Sequence, residues 1–326
     1  MLHALCAHAR RPPVMTARSD HRPANLRPVV GGRSALLSAE SKPDMQRRDM
    51  ILPDAPLVSG DWLAARLDQA GLVIVDTRKG DGYAEAHVPG ARRLALSPLL
   101  HTPGQVIEAD VFEAELARLG IGPDTLVVAY DDANNLFGAR LWWVLRYYGH
   151  DNAVVLDGGW DAWISAGLPV TDDTPHAPEP GAFKARPKPE HLATTADVHA
   201  AMDDANRQIL DVRGKAEWLR DAPTEASMAG HIPGALHMVW TDCLDPETRR
   251  FRPKDDLHAL FKALGLRREA EIIPYCQGGI RAAHSVLALT LAGFDRVRNY
   301  EGSWAEWSRT KMPATIEPDR KIPGQT

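Results

Sequence analysis

The stretch LVIVDTR at residues 72–78 returns in altered form as QILDVR at residues 208–213. Three further blocks return in the same order, and all offsets lie between 135 and 145 residues. AHVPGA (86–91) returns as GHIPGA (230–235), RLGIGPDTLVVAYD (118–131) as ALGLRREAEIIPYC (263–276), and LDGGWDAW (156–163) as YEGSWAEW (300–307). Four blocks in one order are hard to obtain by chance. The chain therefore contains two copies of one unit of roughly 120 residues.

Short apolar runs alternate with amphipathic stretches in each copy. The apolar runs predict buried strands at 72–76, 125–130 and 153–156, and again at 208–212, 271–275 and 296–299. Helical spacing with a glycine stop predicts helices within 59–71, 137–149, 253–265 and 281–293. Strands that alternate with helices indicate an α/β fold. We expect two tandem domains, each a mostly parallel sheet with helices on both faces.

The limits of the repeat predict the domain organisation. We expect domains at 51–170 and 191–313, separated by a proline-rich linker at 171–190 that lacks periodicity. Residues 1–50 carry a net charge of +5 and the remainder −10. We expect this first segment to be a disordered tail, or the protein to start at Met45 or Met50. Because it is rich in arginine, the segment also resembles a mitochondrial transit peptide, which is the less favoured interpretation. Residues 314–326 are expected to form a C-terminal tail.

Composition narrows the range of functions. The net charge of −5 disfavours partners such as nucleic acid or an anionic membrane, and no stretch approaches the ~20 apolar residues of a membrane span. Three cysteines, at positions 6, 243 and 276, are too few and too far apart for a disulfide framework or a cysteine-rich zinc site. The histidines show no metal-binding spacing, so we predict no metal and no cofactor. We expect a cytoplasmic protein, or a mitochondrial one if the first segment is a transit peptide.

The loop YCQGGIRAAHS at 275–285 is the strongest candidate site, because ligands of parallel α/β sheets bind beyond the carboxyl ends of strands. Two glycines let the backbone curl, so that N–H groups can point inward and bind an anion beside a helix N-terminus near Arg281. These features favour a thiolate at Cys276. We predict that Cys276 is a nucleophile and that the following residues bind an anionic substrate and intermediate: Gln277, Gly278, Gly279, Ile280 and Arg281.

The first copy differs at the corresponding place. Asp131 replaces the cysteine and is followed by Asp132, and we expect the two carboxylates to repel an anion. A paired-carboxylate acid/base role is the less favoured interpretation, and the first domain is expected to serve as scaffold and cleft wall. Cys243 has no glycine loop behind it, and Cys6 lies in the basic segment. We therefore expect neither to be reactive.

The motifs DVR, GHIPGA, the cysteine loop and YEGSWAEW resemble the tandem rhodanese-domain sulfurtransferases, from about Pro56 to Pro313. The aspartate at the first-domain site is typical of that family. The resemblance implies a ping-pong reaction in which the Cys276 thiolate takes the outer sulfur of thiosulfate, sulfite leaves, and a persulfide remains. A thiophilic acceptor, such as cyanide or a thiol, then takes the sulfur. The implied partners are thus a small-molecule sulfur donor and acceptor.

The resemblance also bears on the donor. Mercaptopyruvate-type members usually have Cys-Gly-Ser/Ala-Gly-Val-Thr in the loop, and mammalian thiosulfate-type members have Cys-Arg-Lys-Gly-Val-Thr. Gln277 and Arg281 make this loop similar to bacterial thiosulfate-type loops, and a guanidinium can bind a sulfonate bidentately. We therefore favour thiosulfate, with 3-mercaptopyruvate as the alternative.

Some residues depart from the family pattern. Glu217 stands where a second substrate-binding arginine is often found, with Lys215 and Arg220 nearby. His237 and Val239 stand where Asn and Pro are commoner. These changes leave the expected fold unaltered and bear on donor affinity.

The remaining motifs have mainly structural interpretations. Asp211 and Arg213 are expected to form an ion pair that supports the active-site loop, with catalysis as the less favoured role. His231 is expected to bond at a turn, because its counterpart His87 lies in the domain without the cysteine. The repeated tryptophans are expected to be packing residues: Trp160, Trp163, Trp304 and Trp307.

Two other classes of protein compete with the sulfurtransferase. Phosphatases of the same fold use a Cys-x5-Arg loop, whereas four residues separate Cys276 from Arg281 here, and the smaller loop suits a single sulfur atom. The other rival is a sulfur-relay or binding scaffold in which the cysteine only accepts sulfur from a protein.

Overall fold

The computed structural model describes residues 53–94, 105–176, 178–219 and 229–316. The expected N-terminal tail at 1–50 and residues 317–326 of the expected C-terminal tail lie outside the described residues. None of the described helices is long and apolar enough to cross a membrane.

The sheet of the first domain has five parallel strands. They are β1 (Leu57–Val58), β2 (Leu72–Asp76), β3 (Arg92–Arg93), β4 (Leu126–Tyr130) and β5 (Ala153–Leu156). Their spatial order is β1-β5-β4-β2-β3. Every residue of the central strand β4 is buried, as expected for an apolar strand that is covered on both faces.

Helices cover both faces of this sheet. They are α1 (Gly60–Ala64), α2 (Gly82–Glu85), α3 (Ala109–Arg118), α4 (Leu136–Tyr147) and α5 (Gly159–Ser165). Val127 and Ala129 of β4 pack in the core with α3 and α4. Val128 and Tyr130 pack in a separate cluster with Leu63 of α1. This alternation follows from the period of two in a strand.

The second domain repeats this arrangement. Its strands are β6 (Leu192–Ala193), β7 (Arg207–Asp211), β8 (Leu236–His237), β9 (Glu271–Tyr275) and β10 (Asn299–Tyr300). Its helices are α6 (Thr195–Ala201), α7 (Lys215–Trp218), α8 (Lys254–Ala263), α9 (Ile280–Leu291) and α10 (Ser303–Trp307), with 3₁₀ turns at Pro189–His191 and Trp240–Cys243.

The sheet of the second domain is less continuous than that of the first. Strands pair in parallel as β8-β7-β9 and as β10-β6. A parallel bridge between Ile272 and Val297 joins the two groups. The resulting order, β6-β10-β9-β7-β8, matches the order of the first domain. The predicted α/β class with two tandem domains is confirmed.

Several predicted boundaries shift. The strand predicted at 296–299 is reduced to β10. Residues 296–298 share only two backbone hydrogen bonds with β9, from Ile272 N to Arg296 O and from Arg298 N to Ile272 O. The helix predicted within 59–71 ends at Ala64. Beyond it the hydrogen bonds tighten from the i−4 to the i−3 pattern, as in Arg66 N to Leu63 O.

The two domains share one core. Helices α4 and α9, both buried over most of their length, contribute to a single apolar cluster. Their amino ends follow β4 and β9, the strands that precede the two equivalent loops. The interface between the domains therefore lies next to the candidate site.

Candidate functional site

Cys276 lies directly after the carboxyl end of β9 and is only 1% exposed to solvent. The loop behind it is short, because α9 begins at Ile280, one residue before the predicted start. Gly279 adopts φ +86° at the N-cap, and a side chain there would collide with the Glu301 carboxylate. Glycine is thus required both for the backbone conformation and for space.

Ser303 fixes the loop from the far side, and sequence reasoning missed it. Its Oγ accepts hydrogen bonds from the N–H groups of Cys276 (3.1 Å) and Gly279 (3.0 Å), and donates to Tyr300 O (2.7 Å). The same oxygen lies 4.0 Å from the Cys276 sulfur. Ser303 holds φ +50°, which is unusual for a residue with a side chain.

Because of these contacts, only some of the N–H groups in the expected anion-binding loop are open to a ligand. Two of its N–H groups, those of Cys276 and Gly279, are occupied by Ser303 rather than open. Among the described residues, no acceptor takes the N–H groups of Gln277, Gly278 and Ile280. Those three donors, at the N-terminus of α9, remain for an anionic group on the sulfur.

A buried ion pair between the domains supports the loop from below, and it too was missed. Arg140 of α4 donates to both Glu301 oxygens, at 2.7 and 2.5 Å. Asn299 donates to Glu301 (3.0 Å) and to Gly279 O (3.2 Å). The first domain is thus connected by three consecutive contacts to the cysteine loop.

Arg281 lies in the first turn of α9 and is bound by Glu217 of α7. Its two terminal nitrogens donate to the two Glu217 oxygens at 2.6 and 2.9 Å. Burial lowers the pKa of Arg281, but the Glu217 carboxylate and Cys276 more than offset this and the pKa is raised. The guanidinium that was expected to bind a substrate is therefore already paired within the protein.

Asp211 and Arg213 form a buried bidentate pair, with nitrogen–oxygen distances of 2.6 to 3.0 Å. Arg213 also donates to Gly230 O and lies 4.6 Å over the Trp304 ring. Trp304 N in turn donates to Cys276 O. Asp76 and Arg78 make the same pair in the first domain. The predicted ion pair is thus present, and both of its side chains are buried.

An aromatic stack flanks the Asp211–Arg213 pair. The Trp218 ring stacks on both His231 and His237, with centroid distances of 3.4 and 4.7 Å. Burial lowers the pKa of both histidines, which favours neutral rings at neutral pH. His237 Nε2 lies 3.0 Å from Arg213 O. These contacts make the two histidines packing and hydrogen-bonding groups.

The equivalent loop of the first domain is filled by its own side chain. Asp131 accepts hydrogen bonds from the N–H groups of Ala133 (2.6 Å), Phe137 (2.8 Å) and Gly138 (2.7 Å). Trp160 N donates to Asp131 O, as Trp304 N does to Cys276 O. The expected repulsion therefore takes a more direct form, because the carboxylate itself occupies the anion-binding loop.

The other candidates lie apart from this site. Cys243 is fully buried, and burial raises the pKa of its thiol. His284 is also fully buried, stacked on Phe251, and burial lowers its pKa to about 3. Within the described ranges, no group of three or more His, Cys, Asp or Glu side chains could hold a metal ion. Cys6 lies outside the described residues.

The arrangement around Cys276 suits transfer of a small anionic group to sulfur. The Cys276 sulfur lies after the end of β9, beside backbone N–H donors and Arg281. The loop that carries it is held in place by Ser303 and, through Asn299, by Glu301. Backbone donors aimed at a developing negative charge stabilise it without reorganising.

Comparison with known proteins agrees with the repeat. The family model described as a rhodanese-like domain matches residues 59–166 and again 194–310. The chain is 35% identical over 274 residues to a probable 3-mercaptopyruvate sulfurtransferase of Pseudomonas aeruginosa, covering 78% of this chain and 96% of the relative. It is 34% identical over 271 residues to a thiosulfate sulfurtransferase of Corynebacterium glutamicum, covering 79% and 89%.

The chain is also similar to a sulfur carrier protein and to a sulfurtransferase of known structure. A sulfur carrier protein of Thermus thermophilus is 31% identical over 267 residues, which cover 77% of this chain and 93% of the relative. Among solved structures, the 3-mercaptopyruvate sulfurtransferase of Escherichia coli matches with a TM-score of 0.69 and 29% identity, over 77% of this chain and 99% of that one. The similar proteins thus differ in the sulfur donor that their names give.

Proposed function

We propose, since this chain belongs to the tandem rhodanese-domain sulfurtransferases, that it transfers the outer sulfur of thiosulfate through a persulfide on Cys276. The observation that carries the proposal is the loop behind β9. It combines a cysteine, three backbone N–H groups without an acceptor among the described residues, and an arginine in the first turn of the helix.

The first half-reaction forms the persulfide. The Cys276 thiolate attacks the outer sulfur of thiosulfate, the sulfur–sulfur bond of the donor breaks, and sulfite leaves with the bonding electron pair. The terminal persulfide sulfur then carries the negative charge. Gln277, Gly278 and Ile280 would donate their N–H groups to it, as backbone donors do to developing anions elsewhere.

The second half-reaction regenerates the thiolate. Cyanide, or the thiolate of an acceptor, attacks the terminal sulfur, and the bond to the Cys276 sulfur breaks. With cyanide the product is thiocyanate. No proton has to move in the donor step or in the cyanide step, which fits a site without an evident general acid among the described residues.

The choice of thiosulfate over 3-mercaptopyruvate rests on that proton balance. Loss of sulfur from 3-mercaptopyruvate leaves a pyruvate enolate that must be protonated at carbon, whereas sulfite leaves as a stable anion. Ser303 donates its single proton to Tyr300 O, and Arg281 keeps its protons. The names of similar proteins favour 3-mercaptopyruvate equally, so this donor remains the second candidate.

The test compares kcat/KM for the two donors, with cyanide as acceptor and thiocyanate as the measured product. We expect thiosulfate to exceed 3-mercaptopyruvate by about tenfold or more, which corresponds to ~1.4 kcal/mol of transition-state stabilisation. Cys276→Ser should abolish transfer without changing the fold, and a variant with more than a few per cent of activity would contradict the mechanism. Cys243→Ser serves as the matched control.

The same assay separates the other classes. Turnover of a phosphate ester without any thiocyanate from thiosulfate would identify a phosphatase. A Cys276 persulfide that forms only from a protein donor would identify a sulfur relay, which the similar sulfur carrier protein makes worth testing.

A further inference from the structure

We infer that Glu217 is a specificity-determining residue that weakens binding of an anionic donor, because its carboxylate holds both terminal nitrogens of Arg281. The inference rests on the proposed role of the Cys276 loop and concerns the charge of the substrate that this loop accepts. It assigns to Glu217 a function opposite to that of the arginine often found at its place in the family.

The contact between Glu217 and Arg281 is bidentate, and the Glu217 carboxylate is also held by its own helix. Both terminal nitrogens of Arg281 bind the two Glu217 oxygens, at 2.6 and 2.9 Å. One of those oxygens also accepts the N–H of Gly214 at 2.9 Å, which caps α7. Glu217 is therefore held by its own helix in the orientation that meets the guanidinium, so the pair is preorganised rather than a chance surface contact.

Both groups are charged at neutral pH. Burial raises the pKa of Glu217, but the hydrogen bonds and charge of Arg281 and the N–H of Gly214 more than offset this, and the pKa is lowered. The pair thus has no net charge. A dianionic donor that approaches Cys276 meets a guanidinium that is already neutralised, and the fork can bind its oxygens only after the carboxylate has moved away.

The second domain contains a matched pair without this role. Asp197 caps α6 as Glu217 caps α7, and it binds Arg298 at 2.9 and 3.3 Å. The side chains of this pair are 28% and 19% exposed, close to the 30% and 22% of Glu217 and Arg281. Arg298 also donates to Leu192 O and lies 3.6 Å from Glu271, whereas Arg281 also interacts with Cys276. The two pairs therefore differ chiefly in what surrounds the arginine.

Release of Arg281 should act on donor binding. Glu217→Gln keeps an oxygen that can accept the N–H of Gly214 and removes the charge that competes for the guanidinium. We expect KM for thiosulfate to fall about tenfold, by roughly the free energy of one charge-assisted contact, with kcat changed by less than about twofold. Asp197→Asn should leave both constants at the values of the unaltered protein.

The decisive comparison uses the full chain in four forms: Glu217→Gln, Arg281→Ala, the double variant, and Asp197→Asn. If Glu217 acts by holding Arg281, its substitution lowers KM only while Arg281 is present. An equal fall in the Arg281→Ala background would overturn the inference, because it would mean that the carboxylate merely repels anions. A rise in KM in Glu217→Gln would also overturn it, since Glu217 would then orient Arg281 for the donor.

A second readout needs no donor at all. Iodoacetate and iodoacetamide alkylate the same thiolate and differ in charge, so the ratio of their rates at Cys276 reports the field at the site. Peptide mass spectrometry can follow Cys276 separately from Cys6 and Cys243. We expect Glu217→Gln to raise the iodoacetate-to-iodoacetamide ratio several-fold and Asp197→Asn to leave it unchanged. An unchanged ratio in Glu217→Gln would contradict the inference.

The two readouts keep the failures apart. If thiosulfate yields no persulfide in any form, the proposed donor is wrong, and the alkylation ratio together with KM for 3-mercaptopyruvate still decides the role of Glu217. If thiosulfate is turned over and neither KM nor the ratio responds to Glu217→Gln, only the inference about Glu217 fails.

Discussion

Asp131 and Cys276 occupy equivalent places after the central strands of the two domains, yet they differ in what fills the loop. The Asp131 carboxylate accepts three backbone N–H groups and is 1% exposed. Behind Cys276, three N–H groups have no acceptor among the described residues. The first-domain loop is thus filled by its own carboxylate, whereas the donors of the second-domain loop have no acceptor among the described residues.

The Asp131 carboxyl should give stability a measurable pH dependence. Burial raises its pKa to about 6, even though the three N–H groups favour the charged form. The folded protein therefore holds this proton more tightly than the unfolded chain, and the resulting stabilisation is lost as the pH rises through 6. The free energy of unfolding, relative to that of Asp131→Asn, should therefore be larger at pH 5 than at pH 7.5 by about 1.4 kcal/mol.

Urea unfolding of both proteins at the two pH values measures this difference. Because asparagine does not titrate, the groups common to both proteins cancel in the comparison. A difference in the free energy of unfolding that is the same at pH 5 and pH 7.5 would contradict the assigned pKa of Asp131.

At the scale of elements, the sequence predicts what is local and misses what is distant. Strand β9 has the predicted bounds, and α9 begins one residue from the predicted start, because apolar runs, glycines and helical spacing lie within a few residues of each other. Ser303 lies 27 residues from Cys276 along the chain, and no local pattern joins them. The repeat did hold a signal: Ser303 stands where the first copy has Gly159 at φ +56°.

Ser303 can be tested by a substitution that separates its hydroxyl from its backbone strain. Ser303→Gly removes the three hydrogen bonds of the hydroxyl, two accepted and one donated, each worth about 1 kcal/mol, and relieves a left-handed conformation that costs about 1–3 kcal/mol. We therefore expect the free energy of unfolding to fall by no more than about 2 kcal/mol. Thiocyanate formation should fall by about tenfold, because the loop N–H groups lose their fixed orientation.

Ser303→Ala provides the contrast, since alanine loses the same bonds and keeps the strain. It should be less stable than Ser303→Gly by about 1 kcal/mol or more. Full activity in Ser303→Gly would show that the hydroxyl does not position the cysteine loop.

At the scale of the whole molecule, the Arg140–Glu301 pair joins the first domain to the residues that support the cysteine loop of the second. Its two side chains are 2% and 4% exposed, and Asn299 extends the contact to Gly279 O. The sequence could not predict this pair, because its members lie 161 residues apart and only Glu301 belongs to a repeated block, YEGSWAEW. The pair is a long-range consequence of packing α4 against α9.

Loss of one partner of this pair should cost more than loss of both charges. Arg140→Met leaves the Glu301 carboxylate buried without its counter-ion, and we expect the free energy of unfolding to fall by about 3–5 kcal/mol. The double variant Arg140→Met/Glu301→Gln should recover more than half of that loss, because no uncompensated charge remains. Urea unfolding measures the free energy of unfolding of both variants. The control is Arg118→Met, which breaks the exposed pair with Glu115 and should lower the free energy of unfolding by at most about 1 kcal/mol. Equal losses in the single and double variants would show that packing, rather than charge compensation, stabilises the interface beneath the cysteine loop.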